Sequence, residues 1–303
     1  METDVSTSRP AVRPAEFARR QPVIAGIDGS RAAIRAAEWA AAEARSRQVP
    51  LRLIAIVPAI DKPAFRAGGS RYRQALETLE AARRAVSARY PDDDPVEVAL
   101  EVERGQAEQV LVELSRSAAL IALGSIGIGF FAHLVLGSTA LSVTRDARCP
   151  VALVRPDATV TGDVLVVVTD WHSGEPALSA AFRAAHERGA DLVVARVWPG
   201  REWSGIDEWG NSPALVSDAQ IEHCRRDFPD VRFRPVTVVG DVVSAVERLS
   251  AMAQLVVVTH DVDAIAPARL GRATRDLVRH SSCPVLVLPA APAPVVGSEA
   301  VHR

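Results

Sequence analysis

An internal repeat is the feature of this sequence that most restricts its fold, because both halves must form the same structure. Residues 104–123 match residues 239–258 at a constant offset of 135. The identical pairs are Gly105 and Gly240, Leu114 and Leu249, Ser115 and Ser250, Ala118 and Ala253, and Leu120 and Leu255. Repetition at a fixed spacing is typical of a duplicated unit.

A second match supports the duplication and fixes its limits. CPVALV at 149–154 corresponds to CPVLVL at 283–288, at an offset of 134. We therefore predict two tandem copies of one domain, joined by the polar linker RPDATVTG. The expected boundaries are a flexible tail at 1–21, a first domain at 22–156, a second domain at 161–290 and a flexible tail at 291–303.

The repeat also decides how to interpret the most apolar part of the chain. No Asp, Glu, Lys or Arg occurs from Ser117 to Thr144, which raises the question of a membrane span. The corresponding stretch of the second copy contains charged residues, among them Asp261, Asp263 and Arg272. Because both copies should share one fold, we predict no membrane association. Four glycines also interrupt any single helix between 124 and 137.

The overall composition is that of a globular protein without a strongly charged surface. The 35 basic and 37 acidic residues give a net charge of −2, so no nucleic-acid partner is expected. The 3 cysteines are widely spaced and form no pair typical of a metal site or a disulfide framework. The first 21 residues lack the apolar run of a signal peptide. We therefore expect a cytoplasmic location.

Apolar runs alternate with helical patterns through the first copy. The predicted strands are 22–28, 51–57, 96–102, 119–124 and 150–155, and the predicted helices are 31–47, 71–90, 105–117 and a segment from about Ser138. Strands that alternate with helices indicate right-handed crossovers. The predicted fold class is α/β: two tandem copies of a doubly wound, mainly parallel five-stranded sheet with helices on both faces, similar to the Rossmann fold.

In such sheets, ligands bind beyond the carboxyl ends of the strands, where the strand order reverses. Strand one ends at Asp28, and strand four ends at Gly124. Glycines at 124 and 127 allow backbone N–H groups to approach an anion. Gly137 leads into a helix whose first N–H groups are unpaired, and Ser138 and Thr139 add hydroxyl donors. These features favour a phosphate chain, with Asp28 at the nucleoside end.

This pattern resembles that of the universal stress protein family. The family's nucleotide motif is Gly, two residues, Gly, nine residues, Gly and then Ser or Thr, which Gly124, Gly127, Gly137 and Ser138 match. The family's first strand ends in a turn similar to that of residues 27–30, and its last strand opens with Cys-Pro-Val. The resemblance covers nearly the whole chain as a tandem pair of the actinobacterial type.

The resemblance implies that the first copy binds ATP, with Mg²⁺, and that the chain has a role in stress adaptation. It implies a nucleotide-dependent regulator or sensor, with protein partners that the sequence does not name. Two copies of one surface also favour a homodimer. The candidate cofactor-binding residues are Gly26, Asp28, Gly29, Ser30, Val57, Gly124, Ser125, Ile126, Gly127, Gly129, Gly137, Ser138 and Thr139.

Two other functions stay open at this point. One is a weak ATPase of the adenine-nucleotide α/β group, although spacing alone identifies no general base, catalytic Lys or arginine finger. The other is a protein-interaction module with a vestigial nucleotide pocket. GIGFFA at 127–132 also fits a dinucleotide fingerprint, but it follows a fourth strand rather than a first one, and a Walker P-loop is absent from the sequence.

The second copy departs from the nucleotide motif. Thr259 stands where the first copy has Gly124, and no glycine follows until Gly271. Asp261 and Asp263 would place negative charge beside the phosphates. Arg272 replaces Ser138, so a hydroxyl is lost. We therefore predict that the site of the second domain is degenerate and that the chain binds one ATP.

Overall fold

The structure is a computed structural model. It describes residues 20–60, 62–90, 96–125, 137–158, 161–168, 171–198, 213–239, 242–260 and 272–289. The chain divides into two compact units, with the main division between residues 160 and 161, and the short segment 282–286 groups with the first unit. Each unit contains strands that alternate with helices, so the predicted α/β fold class is confirmed.

The first unit is built around a fully parallel sheet. Its elements are β1 Val23–Gly26, α1 Arg31–Arg47, β2 Leu51–Val57, a 3₁₀ turn Pro63–Phe65, α2 Ser70–Arg89, β3 Val98–Arg104, α3 Ala107–Leu114, β4 Leu120–Gly124, α4 Ser138–Asp146 and β5 Val151–Val154. The strand order is β3-β2-β1-β4-β5, and each described pairing is parallel. Strand order therefore reverses between β1 and β4, as the doubly wound prediction requires.

Alanine explains how closely α1 lies on this sheet. The helix begins after Ser30, whose Oγ accepts a hydrogen bond from the Ala33 N–H at 3.1 Å. It ends at Gln48, which adopts a left-handed conformation with φ 53°. Its buried face is made almost entirely of Ala32, Ala33, Ala36, Ala37, Ala40, Ala41 and Ala44. Small side chains let the helix backbone approach β1 and β4, which it contacts.

The helices of the first unit form two pairs. Helix α1 packs against α2, and α3 packs against α4. Right-handed crossovers place the pair α1 and α2 on one face of the sheet and α3 and α4 on the other. The residues of β1 and β4 that lie between these layers are almost all buried. The core of this unit is therefore the apolar centre of the sheet with helices on both sides.

The second half of the chain repeats the same order of elements. These are β6 Asp163–Val168, α5 Trp171–Arg188, β7 Leu192–Trp198, α6 Pro213–Asp227, β8 Phe233–Val239, α7 Val242–Ser250, β9 Ala253–Thr259, α8 Arg272–His280 and β10 Val285–Leu288. Strand β6 pairs in parallel with both β7 and β9, and β7 pairs in parallel with β8. Strand β8 is therefore an edge strand of this sheet.

The uncharged segment 117–144 contributes elements to the first sheet. It contains all of β4 and the first part of α4, whereas residues 126–136 lie outside the described part of the chain. Among the helices that the structure describes, none combines the length and the apolar character that a membrane crossing needs.

The three cysteines are free and buried. Cys149, two residues before β5, is 5% exposed, and burial raises the pKa of its thiol to about 12. Burial also raises the pKa of the Cys224 thiol, and the carboxylate of Asp227 adds to the effect. Because the thiolate is the nucleophilic form, these groups should be inert in the folded chain.

We predict that Ellman's reagent at pH 8 reacts with none of the 3 cysteines of the native protein. In guanidinium chloride the same protein should release three equivalents of thionitrobenzoate, because unfolding removes the burial that raises the pKa. The rate should follow the unfolding rate rather than the reagent concentration. A fast phase in the native protein would contradict the placement of these thiols in the core.

Candidate functional site

A cavity of about 250 Å³ lies at the carboxyl ends of β1 and β4, where the strand order reverses. Residues from two distant parts of the sequence meet there. The predicted site residues that line it are Gly26, Asp28, Gly124, Gly137, Ser138 and Thr139. The structure therefore brings the aspartate of strand one and the start of the helix after the glycine loop into one crevice.

The turn between β1 and α1 holds Asp28 in place through backbone hydrogen bonds. Asp28 Oδ1 accepts the Ser30 N–H at 2.9 Å, so the aspartate closes a tight turn with its own side chain. Gly29 lies between them with φ 89°, a conformation that favours glycine. Gly29 and Ser30 do not line the cavity but shape the turn and cap α1. These two residues would therefore influence a ligand indirectly, by holding Asp28 in position.

Gly124 has a packing role that the sequence did not reveal. A Cβ atom at this position would lie 2.8 Å from the backbone nitrogen of Ala33 and 2.8 Å from the carbonyl carbon of Ala32. The sequence interpretation assigned this glycine to the approach of an anion. The structure shows that its missing side chain lets the first turn of α1 rest against the end of β4.

The two ends of the glycine loop are joined by backbone hydrogen bonds. The Gly137 N–H donates to the Ser125 carbonyl at 3.2 Å, and the Ser125 N–H donates to the Val154 carbonyl of β5 at 2.9 Å. Helix α4 then begins at Ser138. Its first N–H groups have no acceptor within the helix, and they give this end a positive partial charge.

The remaining residues of the predicted loop are placed in different ways. Ser125 is 3% exposed, and its hydroxyl has no hydrogen-bond partner among the described residues. It does not line the cavity. Ile126, Gly127 and Gly129 lie outside the described residues, so their assignment stays a prediction.

The structure does not bring Val57 to the cavity. Its side chain is 5% exposed, and its carbonyl accepts the Gly105 N–H at 3.0 Å. Ile54 and Ile56 of the same strand line the cavity instead. Side chains alternate between the two faces of a strand, so Val57 points to the other face. The assignment of Val57 to the site stays a prediction.

Several apolar lining residues were missed from the sequence. Besides Ile54 and Ile56, they are Ile27, Ala33, Ala107, Leu111, Leu123 and Ala140. Ala107 and Leu111 are four residues apart on α3, the spacing that places two side chains on one helical face. That periodicity was available in the sequence, but nothing in it showed that α3 covers this end of the sheet.

The charge distribution of the cavity is simple. Among its described lining residues, Asp28 alone is ionisable. Positive potential comes instead from the first turn of α4, which contributes Ser138 and Thr139. The crevice thus has a carboxylate at the end of β1, an anion-attracting helix terminus and an apolar wall from β2 and α3.

Comparison with known proteins places the chain in a family. The model of the universal stress protein family matches residues 19–155 and, a second time, residues 161–289. The chain belongs to the universal stress protein family. The expected tandem arrangement of two family domains is confirmed by the double match. The family membership predicted from the glycine spacing is likewise confirmed.

Relatives from mycobacteria match this chain over most of their own length. Universal stress protein Rv2624c of Mycobacterium tuberculosis is 32% identical over 270 residues, which cover 88% of this chain and 95% of that protein. Universal stress protein Rv2028c of the same species is 33% identical over 270 residues, with 88% and 95% covered. The relatives agree with the actinobacterial type that the sequence analysis named.

The fold is also that of solved universal stress proteins. A crystal structure of a universal stress protein from Archaeoglobus fulgidus superposes with a TM-score of 0.66 at 17% identity. The match covers 89% of this chain and 98% of that one. At this level of identity, the likeness concerns the fold alone.

The packing role of Gly124 can be tested against a neighbouring glycine. We predict that Gly124→Ala lowers the free energy of unfolding by about 1–3 kcal/mol, the usual range for forced overpacking. The clash is with backbone atoms of α1, which cannot turn away. Gly26→Ala is the matched control, because the one close contact of its Cβ would be the Cδ2 tip of Leu123, at 2.7 Å, with Leu111 at an ordinary 3.8 Å.

Urea unfolding followed by circular dichroism measures both variants. Gly26→Ala should lose clearly less stability, since the Leu123 tip can change its rotamer. Equal losses in the two variants, or a stable Gly124→Ala protein, would show that the contact between α1 and β4 tolerates a methyl group.

Proposed function

We propose that the first unit binds ATP together with Mg²⁺ and that the chain acts as a nucleotide-dependent regulator in stress adaptation. The observation that carries the proposal is the crevice itself, in which Asp28 and the first turn of α4 line one cavity. A nucleotide has hydroxyl donors at one end and anionic oxygens at the other. The crevice offers a group suited to each.

The phosphate end would lie at the start of α4. Backbone N–H groups of Ser138 and Thr139 lack acceptors within the helix, and both residues add a hydroxyl. The Gly137 N–H is not available, because it already donates to the Ser125 carbonyl. Among the described lining residues, no carboxylate stands at this end. Mg²⁺ would therefore be held mainly by phosphate oxygens and water, as is usual for this ion.

The nucleoside end would lie towards β2 and α3. Asp28 Oδ1 is already engaged by the turn, so a hydroxyl or amino donor of the ligand would bind to Oδ2. Ile54, Ile56 and Leu111 form an apolar wall suited to the face of a base. At about 250 Å³ the cavity is smaller than the roughly 300–1,000 Å³ of most ligand pockets, so the phosphate chain would extend from its mouth.

The second unit lacks the glycine that ends β4 in the first unit. Thr259 ends β9 at the position that Gly124 has on β4, and it is 7% exposed. The hydroxyl of the buried Thr274 donates to the Thr259 carbonyl at 3.4 Å, so the end of this strand is tied to α8. Residues 261–271, with Asp261 and Asp263, lie outside the described residues. These features support one nucleotide per chain.

We predict that Gly137→Glu abolishes the binding of Mg–ATP, which the wild type should bind at one per chain. The carboxylate would stand at the start of α4, where it takes the place of the phosphates and repels them. Gly137 has φ −59° and ψ 141°, which any residue adopts, so the fold should persist. Gly137→Gln is the control of equal size without the charge.

Isothermal titration calorimetry measures both variants against the wild type. Gly137→Gln should weaken binding less than Gly137→Glu does. If Gly137→Glu binds Mg–ATP with unchanged affinity, the phosphates do not bind at the start of α4. A stoichiometry near two that falls to one in this variant would show that the second unit also binds. ATP turnover above the Gly137→Glu background would favour the ATPase hypothesis.

We predict that Asp28→Ala weakens the binding free energy of ATP by about 1–3 kcal/mol, the order expected for a lost hydrogen bond to a charged group. Asp28→Asn should lose less, because its amide oxygen can still accept the Ser30 N–H and keep the turn. Inorganic tripolyphosphate should bind all three proteins equally, since it touches only the α4 end. Equal ATP affinity in all three would show that Asp28 serves the turn alone.

A further inference from the structure

The second unit has a groove on the face of its edge strand, between β8 and α7, which we call the edge groove. Its volume is about 630 Å³. Its lining includes Arg234, Val236 and Val238 of β8, and Arg248 and Leu249 of α7. The groove is not part of the nucleotide site, which belongs to the first unit.

Among the elements that the structure describes, α7 leaves part of the edge strand exposed. In the order of the described strands, β8 has a neighbouring strand on one side only. Alternate residues of β8 share one face, and on that face Arg234 is exposed, Val236 is half-buried and Val238 is 8% exposed. The floor of the groove is therefore apolar at Val238 and carries a cationic side chain at its other end, at Arg234.

Two arginines give the groove its charge. Arg248 is exposed on α7 and forms no ion pair with any residue that the structure describes. Arg234 lies 3.6 Å from the carboxylate of Asp163, with 53% of its side chain exposed. A long, exposed pair of this kind contributes little and can rearrange. Both guanidinium groups can therefore meet an incoming carboxylate.

The first unit shows that the fold does not require this surface. At the offset of 135, Glu101, Glu103 and Glu113 occupy the positions of Val236, Val238 and Arg248. Glu101 also forms a two-pronged ion pair with Arg52 of the neighbouring strand, with an Nε–Oε1 distance of 2.7 Å. The same place in the fold is thus acidic and covered by an ion pair in one unit, but apolar and basic in the other.

Pro235 limits how a ligand can use the groove. The Leu192 N–H donates to the Arg232 carbonyl at 2.8 Å, so even-numbered residues of β8 bond to β7 and odd-numbered ones face the open edge. The nitrogen of Pro235 therefore points outwards and has no hydrogen to donate. A proline at this position opposes the addition of another strand. An occupant should lie on the face of β8 rather than extend its sheet.

We propose that the edge groove binds an acidic, extended segment of a partner protein. Carboxylates of the segment pair with Arg234 and Arg248, and its apolar side chains lie on Val236, Val238 and Leu249. Two arginines in a chain of net charge −2 match a short acidic peptide better than the continuous phosphate backbone of a nucleic acid. The assignment is independent of nucleotide binding.

The test uses the full chain and a fluorescein-labelled decapeptide in which Glu alternates with Val. Fluorescence anisotropy should show saturable binding that weakens as NaCl is raised. Arg248→Glu should weaken binding about fivefold or more, because an exposed attraction is replaced by a repulsion. Arg226→Glu is the matched control: it reverses an exposed arginine on α6, which packs with α5 on the opposite face, and should change binding less than twofold.

Two further measurements distinguish a loss of peptide binding from a loss of folding. Arg248→Gln, which keeps a polar side chain, should give an intermediate affinity, and melting curves identify any variant that fails to fold. Calorimetric ATP binding should be the same in all of these proteins. Absence of peptide binding by the wild type, or equal binding of a Lys–Val peptide, would overturn the proposal. So would self-association or oligonucleotide binding that Arg248→Glu abolishes, since the occupant would then be a second copy or a nucleic acid.

Discussion

The close approach of α1 to the end of β4 is the contact on which the rest of the first unit depends. It requires alanines along the buried face of the helix and a glycine at 124, where a Cβ would lie 2.8 Å from the helix backbone. With α1 in this position, the turn that carries Asp28 is held beside β4. The crevice at the reversal of strand order therefore depends on how α1 packs against the sheet.

The duplicated fold lets one copy keep this crevice while the other changes. In the first unit, a glycine ends β4 and the crevice has complementary groups at its two ends. In the second unit, Thr259 ends the corresponding strand, and the most distinctive surface lies instead on the edge strand β8. The two sheets have the same order of elements, so these differences come from side chains and not from topology. Duplication thus allows the crevice of one unit and the edge-strand surface of the other to diverge separately in one chain.

Much of the fold could be predicted from the sequence because it depends on periodicity. The predicted helix at 31–47 has the observed bounds of α1, and β2 at 51–57 was likewise correct. The site was predictable only in part. The sequence does not show which face of β2 borders the cavity, and the structure places Ile54 and Ile56 in its lining but not Val57. The packing role of Gly124 depends on a contact with α1, about 90 residues earlier in the sequence, which no local pattern encodes.

The hydrogen bond from the Gly137 N–H to the Ser125 carbonyl closes the base of the glycine segment. The ends of the segment are thus fixed by the scaffold, and only backbone atoms make the link. Changes of sequence or length between these two residues need not move α4 or β4. The repeat bears this out: α8 begins 13 residues after Thr259, whereas α4 begins 14 residues after Gly124. The length of the chain between the strand and the helix can therefore differ between two copies of one scaffold while both elements are kept.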